Sequence, residues 1–271
     1  MNVPRQTLNA RSVPPAFSLI EVLVVMGTVS IVLAMLIPGL SGAREQGRAT
    51  MCRVHLAELI RANGYYAGDH YDRFCPGAAD FLVNRHRWHG VRPKVGSPFE
   101  GKHGPLAPYL DAEKLIRQCP TFPAEEAARI SGGFERNAGG YGYSGVYVGA
   151  ATLHRDNDEV TVLDDRIGAR SSDVRRPADT IMFADTAFAA SALIEYSFVE
   201  PRFQPMNPTQ RADPSIHYRH VGQANVGWCD GHVDSRRRTL TWKSGFYRAD
   251  PDKLQLGWFG HDDNNGFFDL R

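Results

Sequence analysis

His220 stands nine residues ahead of Asp230-Gly231, with His232 directly beyond. Imidazoles and carboxylates are the groups that bind a divalent metal or move a proton near neutral pH. A strand pattern over this region would let His220, Asp185, Asp230 and His232 meet at one end of a sheet. A plainer reading competes: Asp230-Gly231 supplies a tight turn, Asp230 bonds its own turn backbone, and His220 bonds a carbonyl across the hairpin. The chain has no G-x-S-x-G, no H-E-x-x-H and no P-loop, so no hydrolase or nucleotide motif supports catalysis. His86 and His89 lie three apart, with His103 further on. Arg85, Arg87, Arg92 and Lys94 flank them and would repel a cation, so surface histidines are expected. Asp164 and Asp165 are adjacent, so in a strand their side chains diverge and form no acid/base pair.

The cysteines are Cys52, Cys75, Cys119 and Cys229, none in a C-x-x-C pair, which argues against a zinc ribbon or a thioredoxin-type site. Cys75 and Cys119 each precede a proline, which puts them in extended or turn backbone. Three full disulfide pairings are open.

These residues need elements to position them, and the dominant one is the apolar stretch 17–40, FSLIEVLVVMGTVSIVLAMLIPGL. As a helix it would be roughly 36 Å long at about 1.5 Å per residue, enough for a bilayer core of roughly 30 Å. Its one charge is Glu21. A carboxylate in such a segment is costly and needs a partner. Residues 1–16 form a polar leader with Arg5, Arg11 and Pro14-Pro15. A secretory signal would use 22–37 as its apolar region and Ser41-Gly42-Ala43 as its cleavage site. An uncut anchor is the remaining alternative.

Beyond the stretch, Cys52, Leu56, Leu59, Ile60 and Tyr66 recur at helical spacing, and Asn63-Gly64 reads as the stop of that helix. Residues 64–104 are loop-rich, and 105–116 fit a short helix. Strands are expected at 141–148, 159–163, 180–185, 224–229, 232–235 and 239–243, with Asp230-Gly231 as a two-residue hairpin turn. The last stretch, GHDDNNGFFDLR, reads as a loop or frayed tail. The fold class is therefore α+β, with a hydrophobic spine helix on a mostly antiparallel sheet. The divisions are a leader 1–16, a transmembrane and spine helix 17–66, and a head 67–271. Net charge is +1, so no global field argues for nucleic acid, and the run Arg236-Arg237-Arg238 is too short to change that.

Ala16-Phe17-Ser18-Leu19-Ile20-Glu21 resembles the leader site of type IV pilins and type II secretion pseudopilins. That resemblance implies a prepilin peptidase cutting between Ala16 and Phe17, N-methylation of Phe17, and an apolar helix that becomes the core of a filament. Glu21 would then pair with the amine of Phe17 in assembly, and Pro38 matches a family proline that kinks the helix. Ala16 departs from the family's glycine. The run from His220 to Asp230-Gly231 resembles the H-x9-DG signature of bacterial prepilin-like proteins whose head domain has no settled activity. Cys52, GPLAPYL at 104–110, Cys119-Pro120, YGYS at 141–144 and RPADT at 176–180 also match. The resemblance implies a Cys52–Cys119 disulfide.

Some major pseudopilins bind calcium in a C-terminal loop, and Asp262, Asp263, Asn264, Asn265 and Asp269 offer oxygens here, although not at EF-hand spacing. No other cofactor and no enzymatic activity are expected. The implied partners are other pilin-like subunits, the prepilin peptidase, an inner-membrane assembly platform and membrane lipid. The implied location is the bacterial inner membrane, single-pass, with the head extracytoplasmic. The rival functions are a membrane-tethered ligand- or metal-binding module and, further off, a hydrolase, each using the His220/Asp230 region.

Overall fold

A computed structural model describes residues 18–111, 116–123, 135–154, 159–243 and 249–271; at Pro38 and Gly39 it describes the backbone alone. Ala16 and Phe17 lie outside the described residues. The chain divides into two compact units, residues 1–44 and 45–271.

One helix, α1, runs from Leu19 to Asp69. It opens on a capping box. The Ser18 hydroxyl accepts from the Glu21 amide at 3.3 Å, and the Glu21 carboxylate accepts from the Ser18 amide and hydroxyl at 2.8 Å each. The pattern S-x-x-E at 18–21 carries this signal in sequence. Every described side chain from Ser18 to Arg44 is exposed, and the stretch is long and apolar enough to cross a membrane.

In the second unit the same helix changes character. Cys52, Leu56, Leu59 and Ile60 are buried, followed by Asn63 and Ala67, at the spacing of one helical face. The expected stop at Asn63-Gly64 does not occur. Asn63 faces the core, where its Oδ1 accepts the Cys75 amide at 2.8 Å and its Nδ2 donates to the Tyr143 hydroxyl at 3.0 Å. Its side chain therefore serves the tertiary fold rather than a cap. The helix ends instead where Tyr71 and Asp72 take left-handed φ values of 55° and 63°, with the Asp72 amide donating to the Ala67 carbonyl.

The strands are short. In chain order they are β1 (His86–Arg87), β2 (Gly90–Val91), β3 (Tyr141–Tyr143), β4 (Ala151–His154), β5 (Val160–Asp164), β6 (Ile181–Asp185) and β7 (Phe188–Ala189). Then come β8 (Leu193–Ile194), β9 (Phe203–Gln204), β10 (Asn207–Arg211), β11 (Ile216–His217), β12 (Gln223–Trp228), β13 (Val233–Arg237) and β14 (Leu256–Gly257). The central sheet has order β13-β12-β6-β3 and is antiparallel throughout; the others pair into two-stranded antiparallel ribbons. The class is α+β.

From residue 45 on, α1 lies on the face of the central sheet that carries Tyr141, Tyr143, Asn225 and Gly227. His55 Nδ1 sits 3.0 Å from the Tyr141 hydroxyl, and the Asn225 side-chain Nδ2 donates to the Ala49 carbonyl at 3.4 Å. A Cβ on Gly227 would lie 2.5 Å from Ile60 Cδ1, so the missing side chain lets helix and strand close up.

Several expectations need correction. The 141–148 strand stops at Tyr143, because Ser144 to Gly149 turns back on itself with both the Val148 and Gly149 amides bonded to the Ser144 carbonyl. Residues 239–243 form no strand and keep a single bridge, Leu240 to Trp258. The expected 105–116 helix is a short 3-10 turn at Ala107–Tyr109, with residues 112–115 outside the described set. The β12–β13 connection has four residues, Cys229 to His232, rather than two. The Gly231 amide bonds the Trp228 carbonyl, and Gly231 then takes φ +102°. The tail is not frayed: Phe268 and Leu270 are buried, and the carbonyls of Phe267 and Leu270 accept the amides of Ile181 and Arg175.

Candidate functional site

The groups singled out around the H-x9-DG run fall into two separate places. Asp230 and His232 sit at the exposed β12–β13 hairpin, where Asp230 Oδ1 accepts the His232 amide at 3.0 Å and lies 2.6 Å from His232 Nδ1. They build the turn. His220 precedes the other end of β12, beside the end of β6 that carries Asp185. The structure therefore brings His220 to Asp185 and leaves Asp230, Gly231 and His232 at the far end of the strand.

What gathers at His220 is a buried cluster. Cys52 from α1, Cys119 from the Cys-Pro turn, Asp185 and His220 place one ligand-type atom each within 4.8 Å of one another. His220 Nε2 lies 3.3 Å from Asp185 Oδ2 and 3.8 Å from Cys119 Sγ. Its Nδ1 faces Glu45 Oε1 at 3.3 Å, and Thr121 donates to the same oxygen at 2.9 Å. Arg219 lies alongside. Its Nη2 donates to Asp185 Oδ1 at 2.7 Å, its Nε to Cys119 Sγ at 3.2 Å, and its Nη1 to the Thr186 carbonyl at 3.2 Å. The Asn225 amide donates to Asp185 Oδ2 at 2.8 Å.

Local backbone explains the convergence. The Cys119 amide is held by the Gly139 carbonyl at 2.9 Å, where Gly139 has φ +71°. His220 exchanges two backbone hydrogen bonds with Gln223 at the mouth of β12. This pairing closes a local turn rather than reaching across the β12–β13 hairpin, and the His220 ring turns inward.

Electrostatics follow from the burial. Desolvation opposes ionisation of Asp185, but Arg219, His220 and the Asn225 amide outweigh it and hold the carboxyl below its ordinary range. Burial would likewise discharge His220; its hydrogen bonds to Asp185 and Cys119 reverse this and lift it to about 9. The two thiols share a site and do not both ionise. The hydrogen bond to Cys119, then burial, raises Cys52; burial also resists ionisation of Cys119, but Cys52, Arg219 and His220 draw it down.

Thiol, imidazole and carboxylate in the order Cys119, His220, Glu45 mimic a cysteine nucleophile. Cys119 is fully buried, however, so a substrate has no approach to its sulfur. The arrangement suits structural cross-linking, by ion pairs or through a bound ion. All four cysteines are free thiols here, including the pair Cys52 and Cys119 that the sequence resemblance joins.

The remaining candidates have other partners. Asp263 pairs with Arg211 and Arg202, Asn265 bonds Tyr147 and Phe203, Asn264 bonds the Gly266 amide, and Asp269 bonds His154 and the Arg271 amide. Asp262 is exposed. Asp263, Asn264, Asn265 and Asp269 each contact different partners. His86 pairs with Asp80 and His103 with Glu100, as surface groups do. His89 is instead buried, 2.7 Å from the Ser197 hydroxyl. Arg219 and Glu45 gave no sequence signal, since a lone arginine or glutamate in these contexts reads as solvated surface.

Comparison with protein-family models, with curated proteins and with solved structures finds no match to this chain.

Proposed function

We propose that this chain is a pilin-like structural subunit. In this reading a prepilin peptidase cuts between Ala16 and Phe17 and Phe17 is N-methylated. The apolar half of α1 lies in the bacterial inner membrane and the head is extracytoplasmic. Subunits then assemble, on an inner-membrane platform, into a type II secretion pseudopilus or a type IV-like filament. One observation carries the reading: a single helix whose described side chains up to Leu40 are exposed and mostly apolar and whose later residues Cys52, Leu56, Leu59 and Ile60 are buried in a folded head. A helix that is apolar all round needs lipid or neighbouring helices around it. The sequence resemblance at 16–21 and in the H-x9-DG run points the same way.

Glu21 fits both stages of such a life. Before processing its carboxylate is occupied by Ser18. After processing a cationic amine at Phe17 would be close enough to compete for it, and pairing offsets part of the cost of burying the charge among helices.

Mass spectrometry of the mature N-terminus tests the reading. Methylated Phe17 is expected. A terminus at Arg44 would replace it with a cleaved secretory signal, and an intact Met1 with an uncut anchor.

A membrane-tethered metal-binding module is the second reading, and the buried cluster at His220 favours it over a site at Asp230.

A further inference from the structure

We propose that Cys52, Cys119, Asp185 and His220 form a closed, four-ligand site for one zinc-class transition-metal ion, which fastens α1 to the sheet of the head. The inference does not depend on the pilin reading, because the site lies wholly within residues 45–271.

Geometry carries it first. Tetrahedral bonds of about 2.0–2.3 Å from zinc to sulfur, nitrogen and oxygen put neighbouring ligand atoms about 3.3–3.8 Å apart. His220 Nε2 stands 3.3 Å from Asp185 Oδ2 and 3.8 Å from Cys119 Sγ, and all four ligand atoms fall within 4.8 Å. Four segments far apart in sequence contribute one donor each, and all four residues are buried.

Hydrogen bonding carries it second. His220 Nδ1 faces Glu45, and Nε2 faces a carboxylate oxygen and a sulfur. A cationic imidazole would donate from both nitrogens, whereas a neutral one has a single N–H. With Nδ1–H donating to Glu45, the Nε2 lone pair points into the cluster, where a metal ion takes the place of the proton. Carboxylate, histidine and metal in that order is the usual support of a metal-binding imidazole. The other ligands are oriented from outside in the same way. Arg219 holds Asp185 Oδ1 and Cys119 Sγ, and the Asn225 amide holds Asp185 Oδ2.

Charge carries it third. Two thiolates and one carboxylate offset a divalent ion plus the Arg219 guanidinium, so the buried group is neutral overall. The donor set decides the class: two sulfurs and one imidazole suit zinc, whereas calcium and magnesium take oxygen. Four protein ligands leave no open position, so the site is structural rather than catalytic.

The test uses the full chain, purified in detergent without chelator, with metal measured by inductively coupled plasma mass spectrometry. About one zinc per chain is expected. Replacement by cobalt should give the visible bands of a tetrahedral ion together with thiolate-to-cobalt charge transfer, a readout on the unaltered protein. Cys52→Ser and Cys119→Ser should each lose the charge-transfer intensity of one thiolate. Glu45→Ala should weaken zinc binding about 10–100-fold while leaving the ligands in place. Protein that holds no metal and gives no tetrahedral cobalt spectrum after reduction overturns the proposal. So does a Cys52–Cys119 disulfide in a non-reducing peptide map of metal-free protein, or zinc retained at full strength by both cysteine variants.

Discussion

Asn63 and Gly64 are neighbours in α1, and their replacement by alanine should move stability in opposite directions. Asn63 is fully buried; its Oδ1 takes the Cys75 amide at 2.8 Å and its Nδ2 donates to the Tyr143 hydroxyl at 3.0 Å. Asn63→Ala leaves the Cys75 amide without an acceptor, which costs about 1–3 kcal/mol. The Tyr143 hydroxyl keeps its own donor bond to the Cys75 carbonyl at 2.9 Å, so its loss is the smaller one, about 0.5–1.5 kcal/mol. The sum is roughly 2–4 kcal/mol, and in a domain of this size each kcal/mol moves Tm by about 2–4 °C. A fall of roughly 5–15 °C is expected. Asn63→Leu removes the same hydrogen bonds but refills the space, so it should fall nearly as far. Gly64 is exposed, has ordinary helical φ, and a Cβ there meets nothing within 4 Å. Gly64→Ala should therefore stabilise by about 0.5–1 kcal/mol. Thermal unfolding of the full chain in detergent, followed by near-ultraviolet circular dichroism, gives all three values. An Asn63→Ala protein within about 1 °C of wild type, or a destabilised Gly64→Ala protein, would refute the account of how helix and head are joined.

On the proposed pilin-like reading, Glu21→Ala should leave the chain in the membrane but reduce its incorporation into filaments, scored by shearing and immunoblotting; unchanged incorporation refutes the pairing role. Acid should loosen the head through His89 and His217, which burial, with neighbouring arginines, holds neutral down to about 3. The unfolded chain takes up those protons below about 6.5, so stability is complete above that value and is lost as pH falls toward 3, by about 2 kcal/mol per histidine at pH 5. Urea midpoints at pH 7 and pH 5 measure this, and His89→Gln should reduce the difference; equal midpoints for wild type would contradict it.

α1 was legible because its apolar run and its 52-56-59-60 stripe are long, and long patterns tolerate local breakers such as Gly64. β5, β6, β12 and β13 were legible to within two residues from β-branched and aromatic runs. Two-residue strands such as β1, β2, β7 and β8 have no room for a pattern and exist because tertiary packing aligns their backbones. At the site, His220, Asp185, Cys52 and Cys119 each stood out by residue type. Their meeting did not, since it depends on which end of β12 lies beside which end of β6. Asp230 was drawn to His220 by the motif's spacing, yet a six-residue strand separates the two.

α1 is made before everything that covers it. Asn63 waits for Tyr143, eighty residues later, while Glu45 and Ala49 wait for His220 and Asn225, 175 and 176 residues on. Contacts this distant in sequence close slowly. On the proposed reading, membrane insertion comes first, and the stripe around Cys52 to Ile60 is covered in stages, by Cys119 and Tyr141 and only last by β12. Over that interval this helical face is the part of the chain most prone to wrong contacts.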